Sequence, residues 1–85
     1  MAVLQDEAIL IGRASKGDSD AFETLVITYE KGVYNLAFRL VGDREDAMDI
    51  TQDVFLKAYQ ALPRFRGDSR FSTWIYRVCV NASLD

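Results

Sequence analysis

Residues 19–41 read SDAFETLVITYEKGVYNLAFRLV, and this stretch decides the fold. Phe22, Leu25, Val26, Tyr29, Val33, Leu36, Ala37 and Leu40 recur at steps of three and four. That spacing lines one side of an α-helix with apolar groups. A stripe of this length must be covered by other elements, so the helix is the centre of a packed domain. Gly32 interrupts it at a cost of about 1 kcal/mol relative to alanine, which marks a close helix contact or a bend.

Upstream, a shorter helix is expected from about Asp6 to Lys16, with Asp6 capping its free amides and Gly17 stopping it. Downstream, Gly42 ends the central helix and Asp43 is a good N-cap for a third, from about Arg44 to Ala61. Asp46 adds negative charge to its first turn, where the helix dipole favours it. Ala47, Ile50, Val54, Ala58 and Ala61 form its inner stripe. Pro63 pushes Leu62 out of helical geometry and ends the helix. A loop over 63–69 follows, then a fourth helix from near Arg70 or Ser72, with Phe71, Ile75, Val78, Cys79 and Ala82 inward. No segment alternates with period two. The expected fold is all-α, a compact bundle of three to four helices forming one domain over residues 1–85.

Composition removes several function classes. There is no histidine and only one cysteine, Cys79, so common zinc sites, an internal disulfide and the usual general-base triads are excluded. No catalytic residue, metal ligand or cofactor site is expected. A small enzyme is the weakest of the readings, since no nucleophile–base pair is evident. No apolar run approaches the roughly 18 residues of a membrane helix. Met1 to Glu7 lack the basic start and apolar core of a signal peptide. The expectation is a cytoplasmic protein without membrane insertion, and a monomer.

Net charge is −3, but it is unevenly spread. Residues 1–53 carry 11 acids and 5 bases, whereas residues 54–84 carry 5 bases and a single acid, Asp68. Chance could produce such asymmetry in a short chain; two surfaces with different partners would also produce it. On the third helix, Glu45, Asp46, Asp49, Gln52, Asp53, Leu56 and Gln60 share the side opposite the inner stripe. An acidic row around an uncovered leucine suits a basic partner helix, the charges steering and the leucine anchoring. An ordinary solvated face with a stray leucine has the same pattern.

The second surface is PRFRGDSRFSTWIYRVCVN, residues 63–81. Arg64, Arg66, Arg70 and Arg77 interleave with Phe65, Phe71, Trp74 and Tyr76. Arginine pairs with phosphate and stacks on bases, and aromatic rings stack on unpaired bases. Ser69, Ser72, Thr73 and Asn81 add groups able to read a base edge, and Gly67 lets the loop wrap around an extruded base. Phe71 falls on the Ile75–Val78 stripe and reads as core, while Trp74, Arg77 and Asn81 share a side that the stripe leaves free.

The run DREDAMDITQDVFLKAYQALPRFRGDSRFSTWIYRVCVN, together with KGDSDAFETLVITYEKGVYNLAFRLVGD before it, resembles the second region of extracytoplasmic-function (ECF) sigma factors in the sigma-70 family. The separated elements DAF, DITQDVFLKAY, FRGDSRFSTW and YRVCVN occur in order, and the resemblance spans about Ile11 to Asp85. It implies a domain that binds the clamp helices of the beta-prime subunit of core RNA polymerase. The matching positions are Asp46, Asp49, Gln52, Asp53 and Leu56. The family more often has Glu at the places of Asp53 and Met48.

The resemblance also implies recognition of the −10 promoter element as single-stranded non-template DNA. Arg64, Phe65, Arg66, Gly67, Asp68, Ser69 and Arg70 match a loop that pockets one flipped-out base. Trp74, Arg77 and Asn81 match the helix at the upstream edge of the melted segment. Ser72, Thr73 and Tyr76 complete the expected DNA-binding set. An anti-sigma partner is a further expectation. Nothing in the chain corresponds to the domain that reads the −35 element in the family, so an isolated domain is expected. The alternative from a different class is a protein-interaction domain of the same ancestry that binds polymerase or an anti-sigma protein but no DNA.

Overall fold

The computed structural model describes the backbone of residues 2–84 and side chains from Glu7 to Leu84. Helix α1 spans Ala2–Ser15, α2 Ser19–Val41, α3 Arg44–Ala61 and α4 Phe71–Leu84, with a 3₁₀ turn at Leu62–Arg64. No strand occurs among the described residues, as the absence of period-two segments leads one to expect.

The helix starts and stops follow from local chemistry. Helix α1 begins at Ala2, so Asp6 lies inside it and not at its start; the Asp6 side chain, and the cap expected of it, lie outside the described residues. Its end is a Schellman motif. Gly17 N–H donates to Ala14 C=O at 3.0 Å and Asp18 N–H to Arg13 C=O at 3.1 Å. This needs φ of +100° at Gly17, a conformation glycine adopts without steric cost. Asp18 then caps α2, its carboxylate accepting from Ala21 N–H at 3.1 Å. Arg13 also reaches that carboxylate at 2.7 Å, tying the end of α1 to the start of α2.

Asp43 caps α3 as expected, accepting from Asp46 N–H at 2.9 Å. Pro63 acts differently from expectation. Leu62 keeps helical angles, φ −56° and ψ −38°, and its N–H still donates to Ala58 C=O. The chain tightens into the 3₁₀ turn and becomes extended only at Phe65. Proline disfavours helical geometry in the residue before it without forbidding it, and the full burial of Leu62 holds that residue in place.

Helix α2 is central and packs on α1, α3 and α4; α1 also packs on the 3₁₀ turn. The core comprises Leu25, Val33, Ala37, Ala47, Val54, Phe55, Ala58, Leu62, Phe71, Ile75 and Cys79, with Ala14 and Ala21 at its edge towards α1. The inner stripes read from the sequence enter it with three departures, the first being Ala61, which is only partly buried and lies outside the core cluster. Phe55 of α3 is buried although it was not assigned inward. Leu40 is 46% exposed, although its neighbour Val41 packs against the core.

Candidate nucleic-acid interface

The loop between the 3₁₀ turn and α4 is held by rings. Phe65 leaves the turn as the first extended residue and packs its ring against two rings of α4. Its ring lies 6.0 Å from Phe71 and 5.0 Å from Trp74, and Phe71 lies 5.6 Å from Trp74. Such offset and edge-on pairs add about 0.5–1.5 kcal/mol each beyond the area they bury. Phe71 belongs to the core, as expected. Trp74 and Phe65 are half-buried, with one side of each packed inward. Trp74 is therefore less free than its position off the stripe suggested, because the loop folds back over it.

Around this platform the loop is polar and open. Gly67 has φ of +77° and nothing within 4 Å of where a Cβ would stand, so its role is the turn itself. Arg64, Arg66, Arg70 and Arg77 are all exposed. Among the described residues none of the four joins an ion pair. Such guanidinium groups keep their bidentate donors available for phosphate.

Two hollows flank the loop. On the α4 side, a concavity of about 210 Å³ is lined by Arg64, Phe65, Arg66, Asp68, Ser69, Trp74 and Arg77. It has two aromatic walls, three guanidinium groups, one carboxylate and one hydroxyl. On the α1 side, a larger groove of about 530 Å³ runs between α1 and the loop, with Tyr29, Phe65 and Phe71 on its floor and Arg66 and Arg70 at its rim. There the Tyr29 hydroxyl donates a hydrogen bond to the Glu7 carboxylate. Burial, reinforced by that carboxylate, pushes the Tyr29 phenol far above the usual tyrosine range, so it stays a neutral donor.

The structure brings most of the sequence-assigned residues to this side of the molecule. Arg64, Phe65, Arg66, Gly67, Asp68, Ser69 and Arg70 line the loop, and Thr73, Arg77 and Asn81 stand exposed on α4 beside Trp74. Two residues are placed elsewhere. Ser72 turns towards the α1-side groove. Tyr76 is half-buried against Gly32 of α2. It follows Trp74 by two residues, which in a helix of about 100° per residue puts it on the far side.

The exposed face of α3 is anionic. Asp46, Asp49, Gln52, Asp53 and Leu56 are all exposed on α3, with Leu56 at 56%. Asp53 pairs with Lys57 one turn on, at 3.1 Å. Sequence reasoning missed the apolar border of this face. Met48 is 56% exposed, and Glu30, Lys31, Tyr34, Met48, Thr51 and Gln52 line a cleft of about 360 Å³ between α2 and α3. Tyr34 stacks on the partly exposed Phe38 at 6.3 Å. The available signal was Phe38, an aromatic lying off the α2 stripe.

Among the described residues no helix is long and apolar enough to cross a membrane, and no group of His, Cys, Asp and Glu could hold a metal ion. The described residues form a small helical domain with one arginine- and ring-rich surface and one acidic surface. Residues 25–85 match the model of sigma-70 region 2, and the chain belongs to that family. It is 46% identical over 77 residues to the ECF RNA polymerase sigma-E factor of Escherichia coli K12, covering 91% of this chain and 40% of that protein. It is 41% identical over 83 residues to the RNA polymerase sigma-H factor of Pseudomonas aeruginosa, covering 98% and 43%. The chain thus spans about two fifths of the length of these relatives. Among solved structures, an engineered region 2 of sigmaE in complex with GTAAAA is similar, with a TM-score of 0.85 and 42% identity over 93% of this chain and 81% of that one. CnrH in complex with the cytosolic domain of CnrY gives a TM-score of 0.86 and 30% identity, over 94% and 52%. The ECF sigma-factor resemblance and the all-α bundle expected from the residues are borne out.

Proposed function

We propose that this chain docks on core RNA polymerase through the acidic face of α3 and holds the −10 promoter element as single-stranded non-template DNA along the loop and the outer face of α4. The observation that carries this reading is the open concavity walled by Phe65 and Trp74 and bordered by Arg64, Arg66 and Arg77. Its rings offer a stacking surface to an unpaired base, and its guanidinium groups meet the phosphates on either side. Asp68 and Ser69 supply an acceptor and a hydroxyl for the base edge.

Extruding a base costs a few kcal/mol. Stacking returns about 1–3 kcal/mol per base. Strand opening is then a capture of unstacked bases while polymerase docking holds the domain at the promoter, and no hydrolysis of ATP enters. Asp46, Asp49, Gln52, Asp53 and Leu56 are assigned to the clamp helices of the beta-prime subunit, which requires a basic, partly apolar partner surface. The similar CnrH is bound by the cytosolic domain of CnrY, and a partner of that anti-sigma kind is proposed here as well.

The test is a screen of GTAAAA and its single-base variants, as single strands and as duplexes, against the chain alone and bound to core polymerase. Trp74 is the sole tryptophan, so its fluorescence reports occupancy directly. Single strands are expected to quench or shift it in preference to duplexes. Polymerase binding without any response to single strands would assign the domain to protein interaction only.

A further inference from the structure

Gly32 stands inside α2, where glycine costs about 1 kcal/mol relative to alanine. The structure shows what the position accommodates. A Cβ built on Gly32 would fall within the phenolic oxygen of Tyr76, and 3.2 Å from its Cζ. The Tyr76 ring therefore rests on bare α2 backbone. Tyr29 meets it edge-on at 6.4 Å, and Tyr29 also lies 5.3 Å from Phe71. The next residue of α2 makes another close approach, the Cys79 thiol reaching Val33 C=O at 3.6 Å. The two helices thus come together over Gly32–Val33, with Tyr76 as the wedge.

On α4, Tyr76 lies roughly 160° around the axis from Trp74. A helix is stiff in torsion over so short a distance, because each residue is tied to the turn before it by a backbone hydrogen bond. Whatever fixes Tyr76 against α2 also fixes the direction in which Trp74 and Arg77 face. Gly32 itself lines neither hollow beside the loop.

We propose that Gly32 is a positioning residue for the single-strand interface: by admitting the Tyr76 phenol onto the α2 backbone it sets the roll of α4, and through it the orientation of Trp74 and Arg77. This rests on the reading of that surface as a single-strand interface. It also gives Tyr76 an indirect part in binding, in place of a direct contact with DNA.

The test is a double-mutant cycle on the 85-residue chain, read with the GTAAAA-series strand that binds the parent most tightly. Tyr76→Phe alone should bind like the parent, since the phenolic oxygen has no hydrogen-bond partner among the described residues. Gly32→Ala should remain helical by circular dichroism, shift the Trp74 emission, and weaken binding roughly tenfold. Gly32→Ala combined with Tyr76→Phe removes the colliding oxygen, leaves a ring contact at 3.2 Å that a shift of a few tenths of an ångström relieves, and should restore most of the emission and affinity. Rescue by deletion of one oxygen on a different helix is not expected if Gly32 merely tunes helix stability.

Undiminished binding by Gly32→Ala, or a loss that Tyr76→Phe does not relieve, would overturn the proposal and leave the interface reading standing. Should Gly32→Ala fail to fold, the double variant decides: parent-like binding supports the proposal and weakened binding overturns it. A parent chain that binds no single strand would remove the interface reading first, and this proposal with it.

Discussion

The ring of Phe65 lies 5.0 Å from that of Trp74, tilted by 48°. One ring comes from the loop and the other from the first turn of α4, so their contact pins an otherwise polar loop to the helix. It also forms the apolar wall of the smaller hollow.

Trp74 has a packing role and a proposed stacking role, and two substitutions separate them. Trp74→Phe keeps an aromatic surface and should bind single strands within a few-fold of the parent. Trp74→Ala should weaken binding by about 1–3 kcal/mol, the value of one base–ring stack. Because Trp74 is only half-buried, the alanine variant should also lose about 2 kcal/mol of stability, less than a fully buried tryptophan would. Oligonucleotide titration and urea denaturation of the same samples measure the two effects. An unfolded Trp74→Ala chain would show that the residue is chiefly core.

On the acidic face of α3, Asp49→Asn, Asp53→Asn and Leu56→Ala combined should weaken binding to core polymerase by at least about tenfold, since charge pairs and a buried anchor act together. The three side chains are exposed, and the Asp53–Lys57 pair is a surface pair worth roughly 0.3–0.5 kcal/mol. The midpoint of thermal unfolding should therefore move little. Pull-down with core polymerase and thermal melting check the two halves. Parent-like binding would make the acidic face ordinary solvated surface.

Much of this was legible in the sequence. The bounds of α2 and α3, the Asp43 cap and the inward positions of α4 follow from apolar spacing and breaker residues. What could not be read required knowing which helix passes where. Helical spacing alone puts Tyr76 and Trp74 on opposite sides of α4, but only the packing on Gly32 shows that Tyr76 is the one turned to α2. Phe55 was missed because its position at the edge of the α3 stripe is buried only once a neighbouring helix lies over it. At Leu62 tertiary burial outweighed the local preference of a residue before proline.

Leu62 is fully buried at the joint between α3, α1 and the loop. Leu62→Ala should cost about 2–5 kcal/mol, a large share of the roughly 5–15 kcal/mol typical of a domain. Equilibrium urea unfolding measures it. The same variant should loosen the loop, seen as a red shift of Trp74 emission in the folded baseline.

Asp18 makes a pH-dependent contribution. The Ala21 N–H, and after it the Arg13 guanidinium, hold its carboxyl below the ordinary 3.8. A group lowered in the folded state stabilises fully above its unfolded value, and that stability is lost as pH falls through the folded value. The melting temperature should therefore decline more steeply below about pH 4 in the parent than in Asp18→Asn, which keeps a capping oxygen without the titration. Parallel acid limbs would show that Asp18 contributes nothing to the pH dependence.

The division of the molecule into a protein-docking flank and a strand-holding flank is tested most directly by the salt dependence of single-strand affinity. Each phosphate neutralised on a single strand contributes a log–log slope of about −0.7. Arg64, Arg66, Arg70 and Arg77 acting together should give about −3 between 50 and 200 mM salt, falling by about 0.7 for each arginine replaced by alanine. A slope near zero, or one unchanged when these arginines are removed, would contradict the assignment of this flank to DNA.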